Sequence, residues 1–151
     1  MEDAAAPFAY SYDAAGRLAE ALDAADLSIE GGFAISRAYD AAGHVSELAA
    51  SSEGTRSYSF DLAGRLAAMT LPGQPTPTTF AYDASGLLSR RFLADGSVTS
   101  WDYDAAGRLA SIATTMPCGV LSFAYERDAD GNVTKENATR RRLCHGKLCL
   151  R

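Results

Sequence analysis

Tyr103-Asp104-Ala105-Ala106-Gly107-Arg108-Leu109 is the stretch that decides the fold, because close copies of it recur along the chain. The copy from Tyr12 to Leu18 is also complete, and four others are partial. All six copies share an Asp and a Gly three residues later, namely Asp13 and Gly16, Asp40 and Gly43, Asp61 and Gly64, Asp83 and Gly86, Asp104 and Gly107, and Asp128 and Gly131. The glycines lie 21 to 27 residues apart, a period typical of repeat architectures rather than of one closed core.

The residues before each Asp alternate between aromatic and small side chains. Tyr58 and Phe60 share one parity, and so do Trp101 and Tyr103. Period two with aromatics on one face is typical of a half-buried β-strand and not of a helix. Each copy therefore begins with a short strand.

The Asp-x-x-Gly element predicts a tight hairpin turn. Asp is favoured at the first position of a type I turn, and Gly enters the left-handed region that follows it without steric cost. After the Gly, a second apolar residue follows the first by three positions, as in Leu48, Met69 and Ile112. This spacing breaks strict alternation and predicts a β-bulge in the return strand. Two strands and two turns account for the whole period.

These residues resemble the YD repeat, also called the RHS repeat, over roughly residues 8–137. Repeats of this family occur in Rhs proteins, in the shell subunits of Tc toxins, in wall-associated bacterial proteins and in teneurins. The resemblance implies an all-β fold: an antiparallel ribbon of repeated β-hairpins, about 12 short strands, forming a curled sheet or a segment of a β-shell. It also implies a shell that often encloses a toxin domain.

Composition divides the chain into three parts: an N-terminal lead at 1–7, six repeats of about 21–27 residues at 8–137, and a basic tail at 138–151. Residues 1–137 contain all nineteen acids and nine bases, a net charge of −10, whereas the tail contains five bases and no acid. Alternation stops at Asn137, so we expect the tail to be disordered. An acidic repeat region disfavours nucleic acid as a partner.

Six repeats are too few to close the shell that the family builds, so we expect a segment or truncated relative of such a shell. Its function would be structural and non-catalytic: to enclose or display a toxin or other effector polypeptide. Its partners would be further YD repeats or an enclosed C-terminal effector domain, in the same or a neighbouring chain. The start of the sequence lacks the features of a signal peptide, and no apolar run reaches the length of a membrane span. As part of a larger YD-repeat protein, the chain would be secreted or located at the cell surface.

Carbohydrate binding is the alternative function, and its candidate stacking residues are Tyr58, Tyr82, Trp101 and Tyr103. No metal or cofactor is expected. The repeated carboxylates are spaced two strands apart, about 9 to 10 Å, too far to share one Ca²⁺. Cys144, His145 and Cys149 supply three soft ligands for zinc but no fourth. The chain has only two histidines and none of the common catalytic motifs, so no enzyme is predicted.

Overall fold

The computed structural model describes residues 8–23 and 33–142, and all regular structure in these residues is β. The chain divides into two compact units, Met1–Pro75 and Thr76–Arg151. The strands of the first unit are β1 (Phe8–Tyr12), β2 (Leu18–Asp23), β3 (Phe33–Tyr39), β4 (Val45–Ala50), β5 (Gly54–Phe60) and β6 (Leu66–Thr70). The strands of the second unit are β7 (Thr78–Tyr82), β8 (Leu88–Phe92), β9 (Val98–Tyr103), β10 (Leu109–Met116), β11 (Gly119–Arg127) and β12 (Val133–Arg142).

Within each unit every strand pairs antiparallel with the next strand along the chain. Sequential hairpins of this kind need only short connections, which the turn glycines provide. The predicted all-β fold of about twelve short antiparallel strands is confirmed. No helix in the described residues is long and apolar enough to cross a membrane.

Each return strand contains a bulge near its start, as the apolar spacing predicts. In the fifth repeat, Tyr103 lies opposite Leu109 and Trp101 lies opposite Ile112, so one extra residue separates the two partners on β10. The same register shift occurs in the other five repeats. Because of the bulge, two apolar residues three positions apart both face the aromatic side of the hairpin.

Within each unit, strands of successive repeats also pair in one fixed register. The residue four positions after a turn Gly lies opposite the residue four positions before the next turn Asp. The observed pairs are Glu20 with Ser36, Glu47 with Ser57, Arg90 with Ser100, and Ser111 with Ala124. The repeats are expected to share one register where one face of the sheet is covered, since a one-residue slip would expose every apolar side chain on that face.

Burial is slight throughout the described residues. Ala50 is the buried hydrophobic residue among them, and the other buried side chains are the polar Thr78, Ser97 and Thr99. Most of the aromatic residues are half-buried, whereas Phe8, Tyr10, Tyr12 and Phe92 are exposed. A sheet covered in this way obtains its stability mainly from contacts between adjacent strands and repeats.

The predicted boundary at residue 137 requires a correction. Residues 138–142, assigned to the disordered tail, complete β12 and pair with β11 as far as Arg142 opposite Gly119. β11 is nine residues long and offers a continuous backbone ladder, which pairs with any sequence whether or not its side chains alternate.

The lead at 1–7, the connection from 24 to 32, and Cys144, His145 and Cys149 lie outside the described residues.

Candidate functional site

The six Asp-x-x-Gly turns have a common backbone geometry. In the first, the N–H of Gly16 donates to the carbonyl of Asp13 at 2.9 Å, and the N–H of Asp13 donates to the carbonyl of Arg17 at 2.8 Å. The equivalent pairs of bonds recur in the other five turns. The six glycines have φ between 74° and 92°, a region that L-residues with side chains rarely adopt.

The Asp side chains complete these turns. Asp13 Oδ1 accepts from the backbone N–H of Ala15 and of Arg17, both at 2.9 Å, and Oδ2 accepts from Arg17 Nε at 2.7 Å. Asp61 and Asp104 accept the corresponding bonds from their own turns. Both oxygens of such a carboxylate are therefore engaged in holding the turn.

The pKa values of these carboxyl groups reflect the turn. The pKa of Asp13 lies below its ordinary value, mainly because the backbone N–H of Arg17 donates to the carboxylate. The backbone N–H of the residue after the Gly is also the main cause of the lowered pKa of Asp61 and of Asp104. A hydrogen bond to the charged form favours that form, so these acids are anions at neutral pH.

Three turns vary this pattern. In the fourth, Leu87 replaces arginine and donates only its backbone N–H to Asp83 Oδ1, at 2.9 Å. His44 replaces arginine in the second, where its backbone N–H donates to Asp40 Oδ1 at 2.9 Å and its Nδ1 lies 3.1 Å from Oδ2. Burial raises the pKa of Asp40, but the hydrogen bonds from His44 outweigh it and the net shift is downward. In the sixth turn the side-chain amide of Asn132 is the main cause of the lowered pKa of Asp128.

No chemistry beyond turn formation is evident in these carboxylates. Among residues 8–23 and 33–142, no group of three His, Cys, Asp or Glu side chains could hold a metal ion. Successive turn carboxylates belong to different hairpins, and each is surrounded by donors from its own turn. The arrangement can fix backbone conformation, and it places no nucleophile beside a base.

Contacts between successive repeats form a second, unpredicted feature. The hydroxyl of Tyr39, the residue before a turn Asp, donates to the carbonyl of Leu18 in the preceding repeat at 2.8 Å. The hydroxyl of Tyr103 donates to the carbonyl of Leu88 in the same way at 2.9 Å. In each case the acceptor is the residue just before the bulge, whose ladder bonding the bulge interrupts. We call the junction at which the residue before a turn Asp meets the preceding repeat a repeat joint; its contacts are the hydrogen bond to this carbonyl, a side chain that covers the aromatic ring, or both.

The covering side chain is the residue after the turn Gly. The Arg17 guanidinium carbon lies 4.4 Å from the centre of the Tyr39 ring, a cation–π contact. At the next joint, His44 stacks on Phe60 with ring centres 4.5 Å apart and an angle of 27° between the planes. The sequence does show a preference for Tyr before the turn Asp and for Arg after the turn Gly. It does not show that the Arg of one repeat contacts the Tyr of the next.

The candidate glycan-stacking residues are only partly brought together. Tyr58 lies on β5 in the first unit, opposite Met69, whereas Tyr82, Trp101 and Tyr103 belong to the second unit. Trp101 and Tyr103 line a recess of about 390 Å³ that also includes Asp83. The Arg91 guanidinium carbon lies 5.9 Å from the centre of the Trp101 ring. All four aromatic side chains are half-buried.

Two stretches of the chain, residues 39–76 and 82–117, match the RHS repeat family model. The chain contains RHS repeats. No curated protein matches the sequence. Among solved structures, the RHS chain is similar to the Tc holotoxin pore of Photorhabdus luminescens with a TccC3 mutation, with a TM-score of 0.67 and 22% identity. It is also similar to the crystal structures of TcdB2-TccC3 and of TcdB2-TccC3-Cdc42, with TM-scores of 0.66 and 0.68 and 22% identity.

Each of these likenesses covers 85% of this chain and 7% of the other chain. At this level of identity the likeness shows that the fold is shared. The RHS chain thus spans a small fraction of the length of the toxin chains that it resembles.

Proposed function

We propose that the chain is a non-catalytic structural segment of an RHS-type shell that encloses or displays a toxin or other effector polypeptide. The observation that carries the proposal is the match to RHS repeats, and the likeness to Tc toxin structures over 85% of the chain supports it. The slight burial of the described residues supports it as well, because a sheet with so few buried side chains gains stability when further repeats extend it. A secreted or cell-surface location belongs to this proposal.

The mechanism is mechanical. The turn carboxylates hold the hairpins closed, and within each unit the repeat joints hold neighbouring hairpins in a single register. The functional output is a sheet of hairpins at regular spacing, which needs no reacting group. Catalysis in such an assembly would belong to the enclosed polypeptide.

Protease protection of the native complex tests this proposal. The RHS protein is isolated from its host with an antibody raised against residues 33–142, and the isolate is digested with trypsin before and after unfolding in guanidinium chloride. A shell predicts that a second polypeptide, or a further domain of the same one, resists trypsin until the repeats unfold. Equal rates of cleavage before and after unfolding, for every polypeptide present, would contradict enclosure.

Carbohydrate binding is the second candidate, and the recess beside Trp101 and Tyr103 favours it. An aromatic ring next to carboxylates is a common arrangement for stacking a sugar ring and accepting bonds from its hydroxyls. Trp101 is the single tryptophan of the chain, so its fluorescence reports directly on this recess. Titration with a broad panel of glycans would support this function by a saturable change in that fluorescence. An unresponsive spectrum would eliminate it.

A further inference from the structure

Five of the six turns give their carboxylate a side-chain partner. In these turns a side-chain nitrogen of the residue after the Gly lies 2.7 to 3.2 Å from Oδ2 of the turn Asp, and the residues are Arg17, His44, Arg65, Arg108 and Asn132. Leu87 takes this place in the fourth turn, and its side chain has no N–H. Asp83 Oδ1 accepts from the backbone N–H groups of Ser85 and Leu87, but no hydrogen bond to Oδ2 is found within residues 8–23 and 33–142. One oxygen of Asp83 is therefore available to a further partner.

The joint between the fourth and fifth repeats presents an aromatic ring in the same way as the joint between the first two. The Tyr103 hydroxyl donates to the carbonyl of Leu88, as the hydroxyl of Tyr39 donates to the repeat before it. The strands at the two joints also pair in the same register. At the first joint a guanidinium lies between carboxylate and ring, with Arg17 Nε 2.7 Å from Asp13 Oδ2 and the guanidinium carbon 4.4 Å from the ring centre. The fourth joint has the same two groups, but the residue after its turn Gly carries no guanidinium.

A recess of about 390 Å³ lies at the fourth joint, within the range of ligand pockets, about 300 to 1,000 Å³. The carboxylates of Asp83, Asp102 and Asp104 line it with the rings of Trp101 and Tyr103, and no basic residue of the described chain lines it. The carboxylate of Asp104 is already paired with the arginine of its own turn. An available carboxylate oxygen, two aromatic rings and open space thus occur together, and this combination suits an organic cation.

We propose that this recess binds the guanidinium group of an arginine residue from another polypeptide. An N–H of that group donates to Asp83 Oδ2, and its plane lies against the Tyr103 ring, which is the arrangement that Arg17 has with Asp13 and Tyr39. A guanidinium is favoured over an ammonium because it is planar, weakly hydrated and able to stack on a ring while it donates in its plane. An ionised carboxylate also favours a cation over a neutral sugar ring. The proposal does not require that the other polypeptide be enclosed.

Titration of the full chain with a short peptide tests the proposal. The probe is acetyl-Gly-Arg-Gly-amide, and the matched peptide contains citrulline, which has nearly the shape of arginine but no charge. Trp101 is the single tryptophan, so its indole N–H signal in ¹H–¹⁵N NMR spectra reports occupancy of the recess. At low ionic strength, where screening is weakest, we expect a saturable shift and an affinity about tenfold higher for the arginine peptide. Equal affinities, or no shift with the arginine peptide, would overturn the proposal.

Two matched substitutions locate the binding carboxylate. Asp83→Asn removes the charge at the recess, whereas Asp95→Asn makes the same change in the turn between β8 and β9, at the other end of these strands. We expect Asp83→Asn to weaken binding of the arginine peptide about fivefold and Asp95→Asn to leave it unchanged. Equal effects of the two substitutions would contradict a site at Asp83.

A second pair of variants supplies the guanidinium from the chain itself. Leu87→Arg restores the residue that Arg17 represents in the first turn, and we expect its side chain to pair with Asp83 and to abolish the shift caused by the arginine peptide. Ala94→Arg adds the same charge in the exposed turn between β8 and β9, and we expect it to retain the shift. Circular dichroism establishes that each variant is folded. Binding to Leu87→Arg with unchanged affinity would overturn the proposal, as would a neutral glycan that shifts the indole signal when the arginine peptide does not.

Discussion

The joint between the first two repeats and the joint between the second and third achieve the same packing with different chemistry. At the first, Arg17 lies over Tyr39, and the Tyr39 hydroxyl donates to the carbonyl of Leu18. At the second, His44 stacks on Phe60, which has no hydroxyl. Both covering residues also bond to the Asp of their own turn. The comparison indicates that a joint requires a flat side chain over an aromatic ring and tolerates the loss of its hydrogen bond.

The turn backbone is common to both joints, and breaking it has the largest expected effect. Gly43 and Gly64 have φ of 92° and 75°, so Gly43→Val or Gly64→Val forces a β-branched residue into the left-handed region. We expect each substitution to lower the free energy of unfolding by about 1 to 2 kcal/mol or more. Urea denaturation measures this loss.

The controls are Ala42→Val and Ala63→Val, one residue earlier in the same turns. Neither alanine has a positive φ, and both are exposed. We expect these substitutions to change stability much less than those at the glycines. Unchanged denaturation curves for both glycine variants would refute the turn assignment.

Exchanging the two aromatic residues tests the hydrogen bond that distinguishes the joints. Tyr39→Phe removes the donor to the carbonyl of Leu18, and we expect a loss of about 1 kcal/mol in the free energy of unfolding. Phe60→Tyr adds a donor at the second joint, and we expect a gain of about 0.5 kcal/mol. Opposite signs for the two substitutions would confirm the comparison. A loss from Phe60→Tyr as large as that from Tyr39→Phe would show that the second joint has no place for a hydroxyl.

We expect acid to weaken both joints, because it protonates the turn carboxylates to which the covering residues Arg17 and His44 bond. Asp13 and Asp40 have folded-state pKa values below the ordinary value of 3.8, so their contribution to stability is complete above that value and is lost as pH falls through the folded-state pKa. We expect the urea midpoint to be insensitive to these groups above about pH 5 and to fall below about pH 4. Asp13→Asn and Asp40→Asn should each make the decline shallower. An equally steep decline in both variants would show that other acids cause it.

The smallest expected effect comes from making the two joints alike at the covering position. We expect His44→Arg to retain the contact with Asp40, because arginine pairs with the turn Asp in three other turns. We expect it to cover Phe60 as well, because Arg17 covers the ring of Tyr39 in this way. These pairs are partly exposed to solvent, where ion pairs contribute little. We expect a change in melting temperature smaller than that caused by Tyr39→Phe. A larger loss would mean that the imidazole ring makes a contact that a guanidinium cannot replace.

The hairpins and their bulges could be predicted from the sequence because their causes are local. Asp13 and Gly16 are three residues apart, and the apolar spacing that requires the bulge lies within one return strand. The joint from Tyr39 to Leu18 joins residues 21 positions apart, and it depends on a register that no single repeat specifies. The end of β12 was misplaced because backbone pairing continues through Arg140 to Arg142, where the side chains show no alternation.

Two double-mutant cycles test most directly the claim that the joints are equivalent units of stability. One cycle combines Arg17→Ala with Tyr39→Leu, and the other combines His44→Ala with Phe60→Leu. Contacts of these two kinds contribute about 0.5 to 1 kcal/mol each, so we expect coupling free energies of that size and similar to each other. A coupling free energy of zero in either cycle would contradict the account.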